Sequence, residues 1–129
     1  MNDTIAAIAT ASAPSAIGII RLSGPEAISA LDRVFTPAKG APMSQQPDRL
    51  LVYGTLHDGT GAVIDHCLAT VSRAPHSYTG EDTAELQCHG SPALLSMGLE
   101  SLFLQGVRQA RAGEFTRRAF LAGKMDLTR

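Results

Sequence analysis

The dipeptide Asp58-Gly59 constrains the fold of this chain more than any other feature. It lies between two runs, residues 50–57 and 62–72, that are rich in the apolar and β-branched residues typical of strands. An Asp-Gly pair between two such runs favours the tight turn of a β-hairpin, since glycine readily adopts a positive φ. The two strands of a hairpin run antiparallel. The sequence therefore predicts a β-sheet in which at least these two adjacent strands are antiparallel.

Other segments are also predicted to be strands. Residues 83–89 alternate between apolar and polar side chains, which is the pattern of a half-buried strand. Its apolar positions are Ala84, Leu86 and Cys88. Residues 5–10 and 16–22 are short runs rich in Ile and Ala, and the polar residues between them predict a turn or loop. A further short strand is expected through Val107.

Three helices are predicted from the residues that begin them. Pro25 and Pro92 suit the first position of a helix, and Gly113 precedes a third, short helix that ends near Gly123. The residues of this third helix that we expect to be buried are Phe115, Ala119 and Phe120. Residues 36–48 contain several prolines and a glycine, so we expect a loop that does not pack as an element.

The length and composition of the chain indicate one domain. A chain of 129 residues with 44% hydrophobic residues can remove roughly two-thirds of its unfolded surface from water. Its strands and helices alternate irregularly, so we predict an α+β fold, a mixed β-sheet with flanking helices. Residues 126–129 resemble the N-cap and first turn of another helix. We therefore expect one domain over residues 1–123 and the start of a helical domain of a longer protein at 124–129.

The cysteines and the first residues of the chain bear on its compartment. Cys67 and Cys88 form no C-x-x-C motif, which fits a reducing compartment, and the N-terminal residues lack the basic stretch of a signal peptide. We therefore expect a cytoplasmic protein without a membrane span.

The pairs His66-Cys67 and Cys88-His89 raise the question of zinc. Because adjacent strand residues face opposite ways, each pair offers one ligand, and we predict no metal site.

Charge is unevenly distributed along the chain. Residues 1–105 hold ten acids and five bases, whereas residues 106–129 hold two acids and six bases. These bases are Arg108, Arg111, Arg117, Arg118, Lys124 and Arg129. A solvated helix face explains such a run more often than an anion site does. Residues 74–105 contain four acids and no lysine or arginine, so the two stretches complement each other if the fold brings them together.

The common nucleotide-binding and hydrolase motifs are absent from the sequence. A phosphate-binding loop of the form G-x-x-x-x-G-K-[S/T] fails at Gly123-Lys124, because Arg118 occupies the position of the first glycine. The sequence also contains no G-x-G-x-x-G, H-E-x-x-H or G-x-S-x-G.

The densest polar segment is residues 75–82, between two predicted strands. It reads equally well as a capped turn and as a recognition loop, in which Glu81 accepts two parallel N–H donors from a planar heterocycle and Tyr78 offers a face for stacking. Arg21 ends an apolar strand, where its guanidinium needs an anionic or carbonyl partner. That partner is either Glu81 or Asp82 within the chain, which is the simpler interpretation, or a ligand.

Five blocks of the sequence, in order, resemble the N-terminal domain of the MnmE (TrmE) family of tRNA-modification GTPases. The blocks are residues 4–10 (TIAAIAT), 18–25 (GIIRLSGP), 77–82 (SYTGED), 85–90 (ELQCHG) and 113–120 (GEFTRRAF). Residues 123–128 (GKMDLT) are similar to the point where the family's central helical domain begins. The resemblance covers essentially the whole chain.

The resemblance implies a function and a set of partners. The domain would bind 5-formyl-tetrahydrofolate, would mediate homodimerisation, and would be similar in fold to the tetrahydrofolate-binding domains of one-carbon enzymes. The full-length protein would work with the flavoprotein MnmG (GidA) on the wobble uridine of tRNA. The domain that binds GTP, potassium and magnesium would lie outside this chain. On this interpretation the chain is non-catalytic by itself.

The resemblance also implies the folate contacts, which fall on Arg21, Glu81 and Lys124. Glu81 would pair with the donor edge of the pterin, and Arg21 and Lys124 would hold carbonyl or carboxylate oxygens. The sequence departs from the family pattern in two loops. Residues 12–16 (SAPSA) replace a glycine-rich turn, and Ala112 stands where the family has a proline.

Two alternatives remain open on the sequence. A stand-alone tetrahydrofolate-dependent one-carbon transferase would need a general acid or base, for which Asp82, Glu85 or His89 is available. A tRNA-binding module would use the basic stretch at residues 106–129, although the six aromatic residues are too scattered to form a stacking platform.

Overall fold

The computed structural model describes residues 3–9 and 15–124. The strands within these ranges are β1 (Ile5–Ile8), β2 (Ser15–Ser23), β3 (Phe35–Pro37), β4 (Val52–His57), β5 (Val63–Ser72), β6 (Thr83–Gly90) and β7 (Arg108–Gln109). The helices are α1 (Ala27–Val34), α2 (Pro92–Phe103) and α3 (Glu114–Leu121), with a 3-10 turn at Met43–Gln45.

The strands form one mixed sheet in the order β3-β4-β5-β6-β2-β1-β7. All neighbours are antiparallel except β1 and β7, which are parallel. The predicted hairpin is confirmed by the pairing of β4 with β5. The Asp58 carboxylate closes its turn by accepting hydrogen bonds from the backbone N–H of Thr60 (2.8 Å) and of Ala62 (3.1 Å). The α+β class is therefore confirmed.

The helices α1 and α2 cover one face of the sheet and enclose the core. The predicted alternation in β6 is confirmed, with Ala84, Leu86 and Cys88 buried beneath the helices. α2 begins at Pro92, as predicted. Gly98 lets this helix approach the sheet closely, since a Cβ there would lie 2.9 Å from Ile20 Cδ1.

The opposite face of the sheet is not covered by these helices. We call it the open face; its apolar side chains include Ile17, Leu51, Tyr53 and Leu68. Ile17, Leu51 and Tyr53 are each at least half exposed. Arg21 lies on the same face, since its position in β2 has the same parity as Ile17.

The expectation that residues 36–48 do not pack is wrong. The segment begins within β3, which pairs with β4 through Phe35, Thr36 and Pro37. It then makes the 3-10 turn, in which Met43 is fully buried and joins the core. Local turn residues hid this packing because it depends on a strand and a helix that are distant from Met43 in the sequence.

The first helix begins later than predicted. Pro25 lies in the preceding turn, and Glu26 is the N-cap of α1. The carbonyl of Glu26 accepts the first helical hydrogen bond, from the N–H of Ala30 at 2.8 Å. The backbone N–H of Glu26 itself donates to the Thr4 hydroxyl at 2.8 Å, which ties this turn to β1.

Some predictions fall outside the described residues. They are most of the predicted loop between the first two strands, at residues 12–14, and the predicted start of a further helix at 126–129. No helix in residues 3–9 and 15–124 is long and apolar enough to span a membrane.

Candidate functional site

The loop at residues 77–82, which we call the recognition loop, is anchored to the end of β2. The hydroxyls of Ser23 and Thr79 share a hydrogen bond of 2.6 Å, and both side chains are buried. The Asp82 carboxylate accepts the backbone N–H of Ala74 at 2.8 Å. The loop is thus a capped turn, and this rigidity also suits a surface that recognises a ligand.

Arg21 reaches the recognition loop from the open face. Its guanidinium pairs with Glu85, which lies directly opposite it on β6, with Nε and Nη2 each 3.1 Å from Oε2. The predicted internal partners Glu81 and Asp82 are therefore wrong, because the register of β2 and β6 places a nearer carboxylate beside Arg21. The same guanidinium lies over the ring of Tyr78, with Cζ 5.9 Å from the ring centroid.

Glu81 belongs to a network that is centred on Arg118. Glu81 Oε1 accepts a hydrogen bond from the Ser23 hydroxyl at 2.8 Å and another from Arg118 Nη1 at 3.0 Å. Arg118 is only 6% exposed, and it also donates to the Asp3 carbonyl and carboxylate and to the Glu114 carboxylate. These contacts hold the Glu81 carboxylate in a fixed orientation.

The placement of Arg118 corrects two predictions about the last helix. Arg118 is not on a solvated basic face, and Phe120, which was expected to be buried, is 42% exposed. The inward positions of α3 are Arg118 and Ala119, because the helix docks on the N-terminal strand through an ion network. The acidic and basic stretches meet in the fold through the ion pair between Glu81 and Arg118, so their charges complement each other there. In the sequence, the four-residue spacing of Glu114 and Arg118 could have indicated that Arg118 forms an ion pair within α3.

Glu114 makes the domain sensitive to acid. The side-chain hydrogen bonds from Arg108, the largest cause, hold the pKa of Glu114 at about 2, below its ordinary value of 4.5. A lowered carboxyl pKa contributes stability that is complete above pH 4.5 and is lost as the pH falls towards 2. We expect the melting temperature, measured by circular dichroism, to fall over this pH interval in both proteins. The fall should be smaller for Glu114→Gln than for the natural chain.

The control for this comparison is Glu100→Gln, which changes an exposed glutamate of α2. It should keep the acid sensitivity of the natural chain. An unchanged pH profile for Glu114→Gln would contradict the assignment.

Lys124 follows α3 and returns to the recognition loop. Its backbone N–H donates to the Ala119 carbonyl at 2.8 Å. Its side-chain stem passes Gly80, since a Cβ built on Gly80 would lie 3.7 Å from Lys124 Cε. Gly80 has a φ of +81°, which few other residues tolerate. The three predicted contact residues therefore lie in or against one loop: Arg21 lies against Tyr78, Glu81 is within the loop, and Lys124 lies beside Gly80.

A cavity of about 340 Å³ opens beside Arg21 and Tyr78. Its walls come from the end of β1, from β2 and from residues 110–116, before and within the first turn of α3. The Tyr78 hydroxyl contacts the Thr116 hydroxyl at 3.4 Å across this opening. A planar group entering here meets an aromatic face and a guanidinium.

The alternative acid–base residues are already engaged, and His89 lies apart from the other two. Asp82 caps the Ala74 amide and Glu85 pairs with Arg21. His89 lies at the other end of β6, with Nδ1 2.7 Å from the buried Asp65 carboxylate.

Of the residues that raised the question of zinc, the two cysteines are buried, whereas His66 and His89 are exposed. Cys67 and Cys88 are buried, and a hydrogen bond between their thiols, together with burial, raises the pKa of Cys88. His66 stacks on Tyr53, with ring centroids 6.4 Å apart. In the part of the chain that the structure describes, no three His, Cys, Asp or Glu side chains are grouped to hold a metal ion.

Comparison with known proteins gives consistent results. Residues 4–124 match the family described as "GTP-binding protein TrmE N-terminus". The chain is 52% identical over 98% of its length to a tRNA modification GTPase MnmE of Bacteroides thetaiotaomicron, of which it covers 27%. It is 47% identical over 99% of its length to the protein of that name from Carboxydothermus hydrogenoformans, of which it covers 28%. The chain thus spans little more than a quarter of these relatives.

Proposed function

Because the chain belongs to the family of TrmE N-terminal domains, we propose that it is the folate-binding and dimerisation module of a tRNA-modification GTPase. The ligand is 5-formyl-tetrahydrofolate, and the module assembles as a homodimer. In the whole protein it serves the modification of the wobble uridine of tRNA in the cytoplasm, together with the flavoprotein MnmG. GTP, potassium and magnesium act in the GTPase domain.

One observation carries the folate proposal. Arg21, Glu81 and Lys124 are far apart in the sequence and lie in or against the recognition loop in the fold. Two cations beside an exposed tyrosine, and a carboxylate in the same loop, suit a ligand with a flat heterocycle, N–H donors and carboxylates. Folates combine these three features.

Each of the three residues has a distinct role in this proposal. The Tyr78 ring and the Arg21 guanidinium provide surfaces against which a pterin or a benzoyl ring stacks. The Glu81 carboxylate, 20% exposed and oriented by Ser23 and Arg118, accepts the N–H groups of the pterin edge. Lys124 supplies a positive charge for a carbonyl or carboxylate oxygen.

The open face supports the dimerisation proposal. Ile17 is 58% exposed and Tyr53 56%, and both lie beside a shallow, mostly apolar cavity of about 330 Å³ that Leu68 also lines. Exposed apolar side chains that are contiguous on one face mark an interaction surface more often than scattered ones do. A second copy that covers this face would bury these side chains.

Calorimetric titration with 5-formyl-tetrahydrofolate, combined with light scattering, tests both parts of the proposal. We expect saturable binding by a species of twice the chain's mass. Lys124→Met should weaken binding roughly tenfold or more, since a hydrogen bond to a charged group contributes about 1.5–3 kcal/mol.

The control is Lys39→Met, because Lys39 is the other lysine of the chain and is exposed in the loop after β3. It should leave the affinity unchanged. A folded chain that binds no 5-formyl-tetrahydrofolate would refute the folate proposal, and a monomer at all concentrations would refute dimerisation.

A further inference from the structure

A second cavity lies beside Tyr78, next to Lys124. It has a volume of about 440 Å³ and is lined by Arg49, Ser72, His76, Ser77, Tyr78 and Lys124. This lining brings together an arginine, a lysine, a histidine and three hydroxyl-bearing side chains, and it includes no carboxylate. Such a set attracts anions and offers them hydrogen-bond donors.

Arg49 is held in place by the backbone around it. Its N–H donates to the Val71 carbonyl at 2.9 Å, and its Nη1 donates to the His76 carbonyl at 3.2 Å. Its φ is +60°, in the left-handed region that residues other than glycine seldom adopt. These contacts fix the guanidinium beside the segment that leads into the recognition loop.

Neither Arg49 nor Lys124 forms an ion pair within the described residues. Asp48, the carboxylate adjacent to Arg49 in the sequence, is instead paired with Arg73, which donates to it from the backbone N–H and from Nη1. The lining of the second cavity therefore offers an anionic ligand two cationic side chains and no carboxylate.

Tyr78 links this second cavity to the proposed folate site, because it lines both the cavity beside Arg21 and the one beside Lys124. A ligand whose ring stacks near Arg21 can extend past Tyr78 towards Arg49. The part of a folate that extends beyond its rings is the glutamyl tail, and each γ-linked glutamate adds one carboxylate. The charge of the cavity is opposite to that of the tail.

We propose that Arg49, with His76 and Lys124, forms a subsite that binds the glutamyl carboxylates of folates and selects forms with several γ-linked glutamates. The inference rests on the proposed folate function and adds to it the preferred form of the ligand. Arg49 is the specificity-determining residue, since it lines the second cavity and does not line the cavity beside Arg21 where the rings bind.

The test compares 5-formyl-tetrahydrofolate carrying one glutamate with the same compound carrying three. Calorimetric titration of the whole chain should show at least fivefold tighter binding of the triglutamate at low salt. This advantage should shrink as salt is raised, because attraction between exposed charges is screened. Arg49→Gln should bring the ratio of the two affinities close to one.

The matched control is Arg33→Gln, which removes an exposed arginine of α1 that has no ion pair among the described residues. It should keep the full preference for the triglutamate. Equal affinities of the natural chain for the two compounds, or an undiminished preference in folded Arg49→Gln, would overturn the subsite and leave the folate function standing. Failure of both compounds to bind would instead overturn the proposed function.

Discussion

Replacing Arg118 with methionine is expected to destabilise the domain by about 3 kcal/mol, as measured by urea denaturation at pH 7. Methionine keeps much of the volume but removes the charge and every hydrogen bond of the guanidinium. Glu81 and Glu114 then lose a partner while they remain largely buried. Breaking a buried ion pair from one side typically costs about 3–5 kcal/mol. We expect the lower end, because Asp3 is exposed and Glu114 keeps Arg108.

Arg117→Met is the matched control for Arg118→Met. Arg117 is the preceding residue of α3, is exposed, and forms no ion pair within residues 3–9 and 15–124. Its replacement should change the free energy of unfolding by less than about 0.5 kcal/mol. Equal effects of the two substitutions would show that Arg118 does not hold α3 against the N-terminal strand.

Gly54→Ala is expected to be the second severe change, with a loss of about 3 kcal/mol. A Cβ at this position would lie 2.3 Å from the Thr36 carbonyl oxygen, 2.7 Å from Phe35 Cζ and 2.9 Å from Pro37 Cα. Two of these atoms belong to the backbone of β3, so the added methyl group must push that strand away from β4. Overpacking of this kind typically costs about 1–3 kcal/mol.

Gly61→Ala provides the comparison for Gly54→Ala. Gly61 has a φ of +89°, but no neighbouring atom lies within 4 Å of the point that a Cβ would occupy, so its replacement introduces backbone strain without a clash. A left-handed conformation costs a residue other than glycine roughly 1–2 kcal/mol. Thermal and urea unfolding should therefore rank Gly54→Ala as the more damaging change. The opposite order would mean that β3 yields easily and contributes little to the fold.

The elements of the fold that were predicted correctly share a local cause. The hairpin around Asp58-Gly59 and the alternation in residues 83–89 depend on residues that are neighbours in the sequence, and both were confirmed, although the positive φ in the turn is that of Gly61. The burial of Met43 depends on β5 and α1, which reach it only after the chain has folded. No local pattern around Met43 could reveal it.

The candidate site also combines residues that the sequence identified with partners that only the structure shows. The sequence singled out Arg21, Glu81 and Tyr78 as unusual residues, because a charged residue ends an apolar strand and a polar loop joins two strands. It did not identify their partners. The strand register assigns Glu85 to Arg21, and the docking of α3 assigns Arg118 to Glu81.

By itself, the sequence determined the antiparallel hairpin, the α+β class, the family and the residue types at the recognition loop. These follow from short-range periodicity, turn chemistry and motifs, which are properties of neighbouring residues. Only the tertiary structure decided that Arg118 is buried, that Arg49 and Lys124 share a cavity, and that one face of the sheet is open. Burial and ion pairing depend on residues separated by tens of positions, whose distances are set when the sheet register and the helix docking are fixed together.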